Sequence, residues 1–484
     1  MRTRRPILIT IILALVLTSC KSQGGIPVST VTPVDWLQTA TAEVVVTHPT
    51  IPASLAPTPT PTVLTHLQVT PTALDGVVLR FSHPYSGDTA ARIEQLLTEF
   101  NQTNVWGVRV ISTAAGSSGS LYSMVKASLG GDSIPNVIVA PQEFLRELSV
   151  VDNILIDLND YIQDPQWGMN SDEVDQFLPE FWKQDTQGER QLGIPAVQNP
   201  RVLFYNLTWA QELGFEQAPA TPKEFQAQAC AAAKANLLNQ DKKDDGTGGW
   251  IIDTDGLTML GWLDAFGVEL ETDNDQAVAN FNQAGTTKVL IFLREVLDQG
   301  CAWHSRVPQP YDYFSSRQAL FYSGPLADIA VQESNNVRLK SNDQWTVIRF
   351  PAIDGIPRTV TSGLSYGILA ASPVEQLAAW LLVRWLAVTK HEAQLVSASG
   401  AWPVTNTAIE ELAAYSQENP QWGETLQWIS NVSLIPTLPG WRQERIILED
   451  AAWQLFQTNF TPDQIPQLVE MLNETIKEVT SKNP

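Results

Sequence analysis

From residue 76 onward the apolar positions switch between a period of two and a period of 3.6. GVVLRFSHPY (76–85) is dense in β-branched and apolar residues and reads as a strand. DTAARIEQLLTEFNQTN (88–104) then sets Ile93, Leu96, Leu97 and Phe100 on one helical face, with Asp88 as the candidate N-cap. WGVRVIST (106–113) is a second strand, SGSLYSMVKASLGG (118–131) a second helix and PNVIVAP (135–141) a third strand. Strands alternating with helices of this length predict a parallel sheet with right-handed crossovers, whose ligands bind at the carboxyl ends of the strands. SHPYSG, STAAGSSGS and APQEF fall on that edge.

In RQLGIPAVQNPRVLFYNLTWAQELGF (190–215) an apolar segment enters Pro195, continues through Gln198, Asn199, Pro200 and Arg201, and emerges as the strand VLFYN. A chain that crosses between two lobes and opens a new sheet has this form. TVTSGLSYGILAAS (359–372), an extended run flanked by glycines, has the form of a second crossing. About 400 residues follow the first strand, enough for two or three domains.

The beginning of the sequence has a different grammar. Arg2, Arg4 and Arg5 precede an apolar run from Ile7 to Leu17, and small residues follow before Cys20. That is the layout of a secretory signal peptide, here residues 1–19, with an apolar core too short to span a bilayer. Leu17-Thr18-Ser19-Cys20 resembles the bacterial lipobox, in which the Cys is diacylated, and two acyl chains suffice for stable anchoring. Residues 20–76 hold no Lys or Arg beyond Lys21 and are rich in Pro, Thr, Val and Ala, the composition of a disordered tether. The longest later apolar run, LAAWLLVRWLAV, is interrupted by Arg384 and falls short of the ~18 residues of a membrane span. The expected location is outside the cytoplasm, at the cell surface or in the periplasm, held to the membrane through the lipid alone.

Composition narrows the partners. A net charge of −22 disfavours nucleic acid, because phosphate binding requires clustered Lys and Arg. Sixteen Trp suit an exported protein that stacks sugars on aromatic faces, although most must serve the core. Besides Cys20 there are Cys230 and Cys301, an even pair that reads as a disulfide in an oxidising compartment or as two separate buried thiols.

Residues 363–367, GLSYG, spell the G-x-S-x-G nucleophile elbow of serine hydrolases. That motif requires a strand before the Ser, a helix directly after it, and then an acid and a His. Here YGILAASP continues as an extended run, the only later His is His391 inside a helical pattern, and Glu375 is the only carboxylate between them. No catalytic triad is expected from that spacing. The five His are scattered without zinc-ligand spacing, and no GxxxxGK[ST] loop occurs. DKKDDGTGGWIID (241–253) sets Asp241, Asp245 and Gly246 in step with a calcium loop, but Lys243 and Ile252 occupy two ligand positions. No metal and no cofactor are expected.

LRFSHPYSG, IPNVIVAPQEFLREL, LGIPAVQNPRVLFYN, FSSRQALFYSGP, VIRFPAIDG, TSGLSYGILAASP and AAWLLVRWLAVTKHEAQLVSASGAWPV follow one another across residues 77–484. In that order and spacing they resemble the extracellular solute-binding proteins of the maltose and multiple-sugar type, the substrate-capturing subunits of ABC importers. The resemblance implies an α/β, two-lobed, type II periplasmic-binding-protein-like fold, each lobe a mainly parallel sheet flanked by helices, with hinge closure over a ligand. It divides the chain into lobe 1 (77–197 plus 364–412) and lobe 2 (198–363 plus 413–484), with crossings near Val197, Leu364 and Ala413. It further implies a monomer without enzymatic activity that captures a sugar or oligosaccharide and delivers it to ABC permease transmembrane subunits. Glycerol phosphate, a polyamine or a peptide are the alternative solutes, and an envelope carbohydrate-active enzyme is the alternative class.

A sugar site needs planar polar groups for hydroxyls and flat aromatic faces for the C–H surface of the ring. Tyr85 and Ser86 end the first strand. Gln142 and Glu143 follow the third, as ligand contacts or as a helix cap. Asn199 lies where maltose-type relatives carry a ligand-binding acid, and Arg201 faces either a ligand anion or a neighbouring carboxylate. Asp255 precedes the helix GLTMLGWLDAFGV, on which Trp262 is core or platform. Ser323 and Gly324 form another cleft-edge turn, ahead of Leu326 where maltose binders place a stacking Trp. Ser362 and Gly363 lie on the second crossing. Trp402 and, above all, Trp441 are the aromatic candidates.

Overall fold

The computed structural model describes residues 67–482, apart from residues 132, 269 and 274–277. The expected signal peptide, Cys20 and most of the expected tether lie outside the described residues. Among those described, the chain forms fourteen strands: β1 (Val78–His83), β2 (Arg109–Ala114), β3 (Val137–Pro141), β4 (Thr186–Gln187), β5 (Arg190–Gln191), β6 (Ile194–Asn206), β7 (Gly248–Ile251), β8 (Leu270–Asp273), β9 (Val278–Phe281), β10 (Ala302–Trp303), β11 (Ala319–Pro325), β12 (Trp345–Ile348), β13 (Val360–Ile368) and β14 (Ser433–Leu434). Ten of them make one sheet in the order β10-β7-β11-β6-β13-β3-β1-β2, with β12 added to β6 and β14 to β13. β4 pairs with β5 and β8 with β9 as separate antiparallel ribbons.

The sheet has two wings. On one side β1 lies parallel to β2 and β3; on the other β7 lies parallel to β10 and β11. The long strands β6 and β13 join the wings, antiparallel to each other, with β6 also paired to β11 of the second wing and β13 to β3 of the first. Thirteen consecutive residues of β6 are buried or nearly so, as befits a strand covered on both faces. Strand alternation sorts the core. Val137 and Val139 of β3 join a cluster with the helices Gly87–Thr103 and Pro373–Leu386, whereas Ile138 and Ala140 join Leu121, Val125, Phe144 and Leu148 on the opposite face. On the second wing Leu203 and Tyr205 pack with Trp250, Trp262 and the helix Trp441–Leu455, while Phe204 and Val202 face back into the first cluster.

Two boundaries differ from the sequence reading. Within the stretch 20–76 expected to be a tether, Pro71–Leu74 is a short 3-10 helix, and Leu74 and Val69 are buried in the first cluster. Apolar residues there find a wall in the helix Pro373–Leu386, which no local pattern announces. Asp88 lies in the first turn of its helix, where it favours the helix dipole; the N-cap is Ser86. Cys230, on the helix Pro222–Leu238, and Cys301, just ahead of β10, are joined in a disulfide. The calcium-like stretch is an exposed turn in which Asp241 accepts from the backbone of Lys243 and Lys242 pairs with Asp245.

Candidate functional site

A cavity of about 380 Å³ lies where the two wings meet β6 and β13. Seven of the sequence-selected residues line it: Tyr85 and Ser86 from the end of β1, Glu143 from the helix after β3, Asn199 from β6, Ser362 and Gly363 from β13, and Trp441 from the first turn of a helix. The carboxyl ends of β1 and β3 open onto it, as parallel-strand topology requires. Gly363 is needed for close approach: a Cβ there would stand 2.3 Å from Nε2 of the fully buried Gln198.

The polar groups of the cavity are held but not consumed. Glu143 is 7% exposed, and its Oε2 has no hydrogen-bond partner in the protein. Burial pushes its carboxyl above the usual range, while Arg445 and Arg442 pull the other way. The Tyr85 hydroxyl and the Trp441 indole N–H are likewise buried and unpartnered, and burial raises the Tyr85 hydroxyl. Asn199 Oδ1 accepts from the backbone of Ala327 at 3.2 Å, which fixes its amide against the opposite wing. Buried polar atoms without partners are costly, so the several that gather on this cavity single it out as the candidate site.

The other seven stand elsewhere. Trp262 is fully buried among Phe225, Trp250 and Phe350 and belongs to the core. Trp402 is fully buried too; its Nε1 donates to Thr425 Oγ1 at 2.7 Å, and its backbone bridges Gln198 on β6. Gln142 turns beneath the cavity and donates to Ser365 Oγ at 3.3 Å. Asp255 caps its helix by accepting from the Leu257 N–H at 2.8 Å. Arg201 pairs with Asp253 and, at 3.8 Å, with Asp255, which takes up the charge that an anionic ligand would need. Arg201, Ser323 and Gly324 line a second, smaller cavity of about 210 Å³ with Tyr311 and Asp328. Ser323 Oγ accepts from Trp250 Nε1 there. Spacing alone cannot separate an inward from an outward side chain on an element buried on both faces.

Sequence reasoning missed Arg445, which lines the cavity one helical turn after Trp441. The i,i+4 spacing from Trp441 was the available signal. It also missed Ser399, while Ser118 belongs to STAAGSSGS, a segment expected on the binding edge but not singled out residue by residue. Ser365 of GLSYG is fully buried within β13 and hydrogen-bonded by Gln142, with strand on both sides of it, so the elbow geometry is absent.

The family model of bacterial extracellular solute-binding proteins matches residues 95–423, 329 of 484 positions. The chain belongs to the bacterial extracellular solute-binding protein family. Membership puts this solute-binding protein outside the cytoplasm and agrees with a binding rather than a catalytic role. No curated protein sequence matches it. Among solved structures it is similar to the cyclic α-maltosyl-1,6-maltose binding protein of Arthrobacter globiformis, at 16% identity and a TM-score of 0.68, covering 83% of this chain and 98% of that one. The sugar-binding protein MalE of Xanthomonas citri matches at 19% identity and a TM-score of 0.68, covering 84% and 98%. UgpB of Mycobacterium tuberculosis, solved in complex with glycerophosphocholine, matches at 14% identity and a TM-score of 0.67, covering 83% and 98%. These likenesses show the fold: mixed α/β, two-lobed, of the periplasmic binding type.

Proposed function

We propose that the protein captures a sugar or short oligosaccharide in the 380 Å³ cavity and hands it to an ABC-type permease. The observation that carries this reading is the convergence of Tyr85 OH, Glu143 Oε2 and Trp441 Nε1, buried and unpartnered, on one cavity with aromatic walls. Hydroxyl-rich rings supply donors and acceptors for all three and a C–H face for the aromatic surfaces. Relatives of the same fold whose ligands are cyclic α-maltosyl-1,6-maltose and other sugars support it.

In this reading lobe 1 comprises the wing of β1–β3 and lobe 2 the wing of β7 and β11, with β6 and β13 as the first two crossings near Val197 and Leu364. The third crossing, expected near Ala413, is assigned in this reading to residues 430–435. Packing of Leu412, Trp422 and Ile429 in the first core cluster and of Ile435 in the second supports that position. A signal peptide over 1–19, a diacyl anchor on Cys20 and a flexible tether complete the proposal, with the folded part acting as a monomer.

Arg445 favours a second reading, a phosphate-bearing polyol, because its Nε is unpartnered at the cavity wall and one relative was solved with glycerophosphocholine. Glu143 on the same cavity opposes an anion. A thermal-shift panel of mono-, di- and oligosaccharides beside glycerophosphocholine separates the two. A ligand at 100 times its Kd adds about 2.7 kcal/mol to stability. Stabilisation by glycerophosphocholine and by no sugar would overturn the sugar reading.

A further inference from the structure

Arg442 and Tyr122 touch across the two halves of the molecule, outside the cavity. The Arg442 guanidinium lies over the Tyr122 ring, 3.8 Å from its centroid. The two residues belong to different cores. Tyr122 stands on the helix Ser118–Ser128, whose Leu121 and Val125 pack with Phe144 and Leu148 against the first wing. Arg442 stands on the helix Trp441–Leu455, whose Trp441, Leu448 and Leu455 pack with Trp250 and Trp262 behind the second.

Tyr122 is held ready for this contact by its own side. Its hydroxyl donates to Glu147 Oε1 at 2.9 Å, and Lys126, itself bonded to Glu147 at 3.1 Å and to Asp152 at 2.8 Å, approaches the same ring at 5.9 Å. The ring therefore cannot turn away when Arg442 leaves. Arg442 makes no salt bridge among the described residues, and the carboxylate it acts on is Glu143 of the cavity wall, whose carboxyl it helps to hold down. A guanidinium above a fixed, half-buried aromatic face is attracted by the ring quadrupole. Trp441, its chain neighbour, lines the cavity, so the same first helical turn carries both a cavity wall and this contact.

We infer that Tyr122 and Arg442 form a clasp that sets the balance between open and closed lobes, so that they determine solute affinity without touching the solute. This rests on the reading that the lobes close over the cavity. Swinging the wings apart about β6 and β13 must separate the pair, and every contact made only in the closed form raises the fraction of protein competent to retain a solute. Surface and half-buried cation–π contacts of this kind shift such a balance by about two- to fivefold.

The test uses the full chain without ligand, with amide hydrogen exchange read by mass spectrometry. Arg442→Ala is expected to speed exchange about two- to fivefold in residues 142–150 and 441–445 together, since these segments face each other. Arg442→Lys should restore most of the protection and Tyr122→Leu should mimic the alanine variant. In the double variant Tyr122→Leu with Arg442→Ala the effects should not add, because one contact cannot be lost twice. Additive effects, or faster exchange confined to the helix of Arg442, would overturn the clasp. The outcome is independent of the solute: a chain that shows the coupled exchange but binds no sugar in the thermal-shift panel refutes the sugar reading and leaves the clasp standing.

Discussion

Val197 and Leu364 are register partners in the antiparallel ladder of β6 and β13, and both line the cavity. The register shifts by one residue immediately afterwards, between Leu364 and Ser365. A bulge at that point twists the strands locally and turns one side chain without breaking the pairing. Two neighbouring strands thus contribute to the wall of the cavity and also join the two wings.

Trp441→Phe should keep the ring face while deleting the unpartnered indole N–H. We expect solute affinity to fall about fivefold, equivalent to one hydrogen bond of ~1 kcal/mol, with little change in melting temperature. Trp441→Ala should in addition cost about 3–5 kcal/mol, since the residue is fully buried in the second core. Calorimetric titration with denaturant unfolding checks both, and unchanged affinity in Trp441→Phe would remove the indole N–H from the site.

Gly363→Ala drives a methyl into the amide of Gln198, which donates to Gln184 Oε1 at 3.1 Å and accepts from Thr361. Overpacking of this kind costs about 1–3 kcal/mol. Because Gly363 also lines the cavity, affinity should fall with stability, and a variant as stable as the parent would show that Gln198 yields freely.

Asp185 supplies a pH signature. Burial pushes its carboxyl up to about 7, with the Ser365 hydroxyl and Arg146 opposing. The folded chain therefore keeps a proton that the unfolded chain releases between pH ~4 and ~7, and stability falls as pH rises through that window. Glu444, also pushed up to about 7 by burial, acts in the same direction. Asp185→Asn cannot ionise, so the decline of unfolding free energy should lessen by up to ~1.4 kcal/mol per pH unit. Urea titrations at pH 5, 6 and 8 measure this, and identical slopes in both proteins would refute it.

The Cys230–Cys301 bridge spans 71 residues of sequence. Loop-closure entropy for a loop of that length is worth about 4 kcal/mol at 25 °C. Replacing both by Ser, or adding reductant, should lower stability by that order while leaving solute affinity intact, because neither Cys lines the cavity. A loss of affinity without a loss of stability would assign the bridge a role in shaping the site.

Much of the fold was legible because its signals are local. β-branched runs, helical spacing and glycines placed β1, β3, β6, β13 and the flanking helices, since each period reflects which face of that element meets the core. The rule that parallel sheets bind at their carboxyl edge pointed to Tyr85, Ser86 and Glu143, which follow β1 and β3, whereas Asn199, inside the antiparallel strand β6, was singled out only by the family resemblance. Trp262 and Trp402 were not legible in the same way. An indole suits a sugar platform and a core equally well, and which it becomes depends on whether Phe225 and Phe350, or Thr425, arrive from distant segments to cover it. Arg201 depended likewise on Asp253 arriving beside it. The contact of Arg442 with Tyr122 joins residues 320 positions apart. Sequence periodicity determined which side chains are buried within each element; only the packing of elements decided which polar and aromatic groups face one another, because that choice is made by long-range partners that leave no mark on the neighbouring residues.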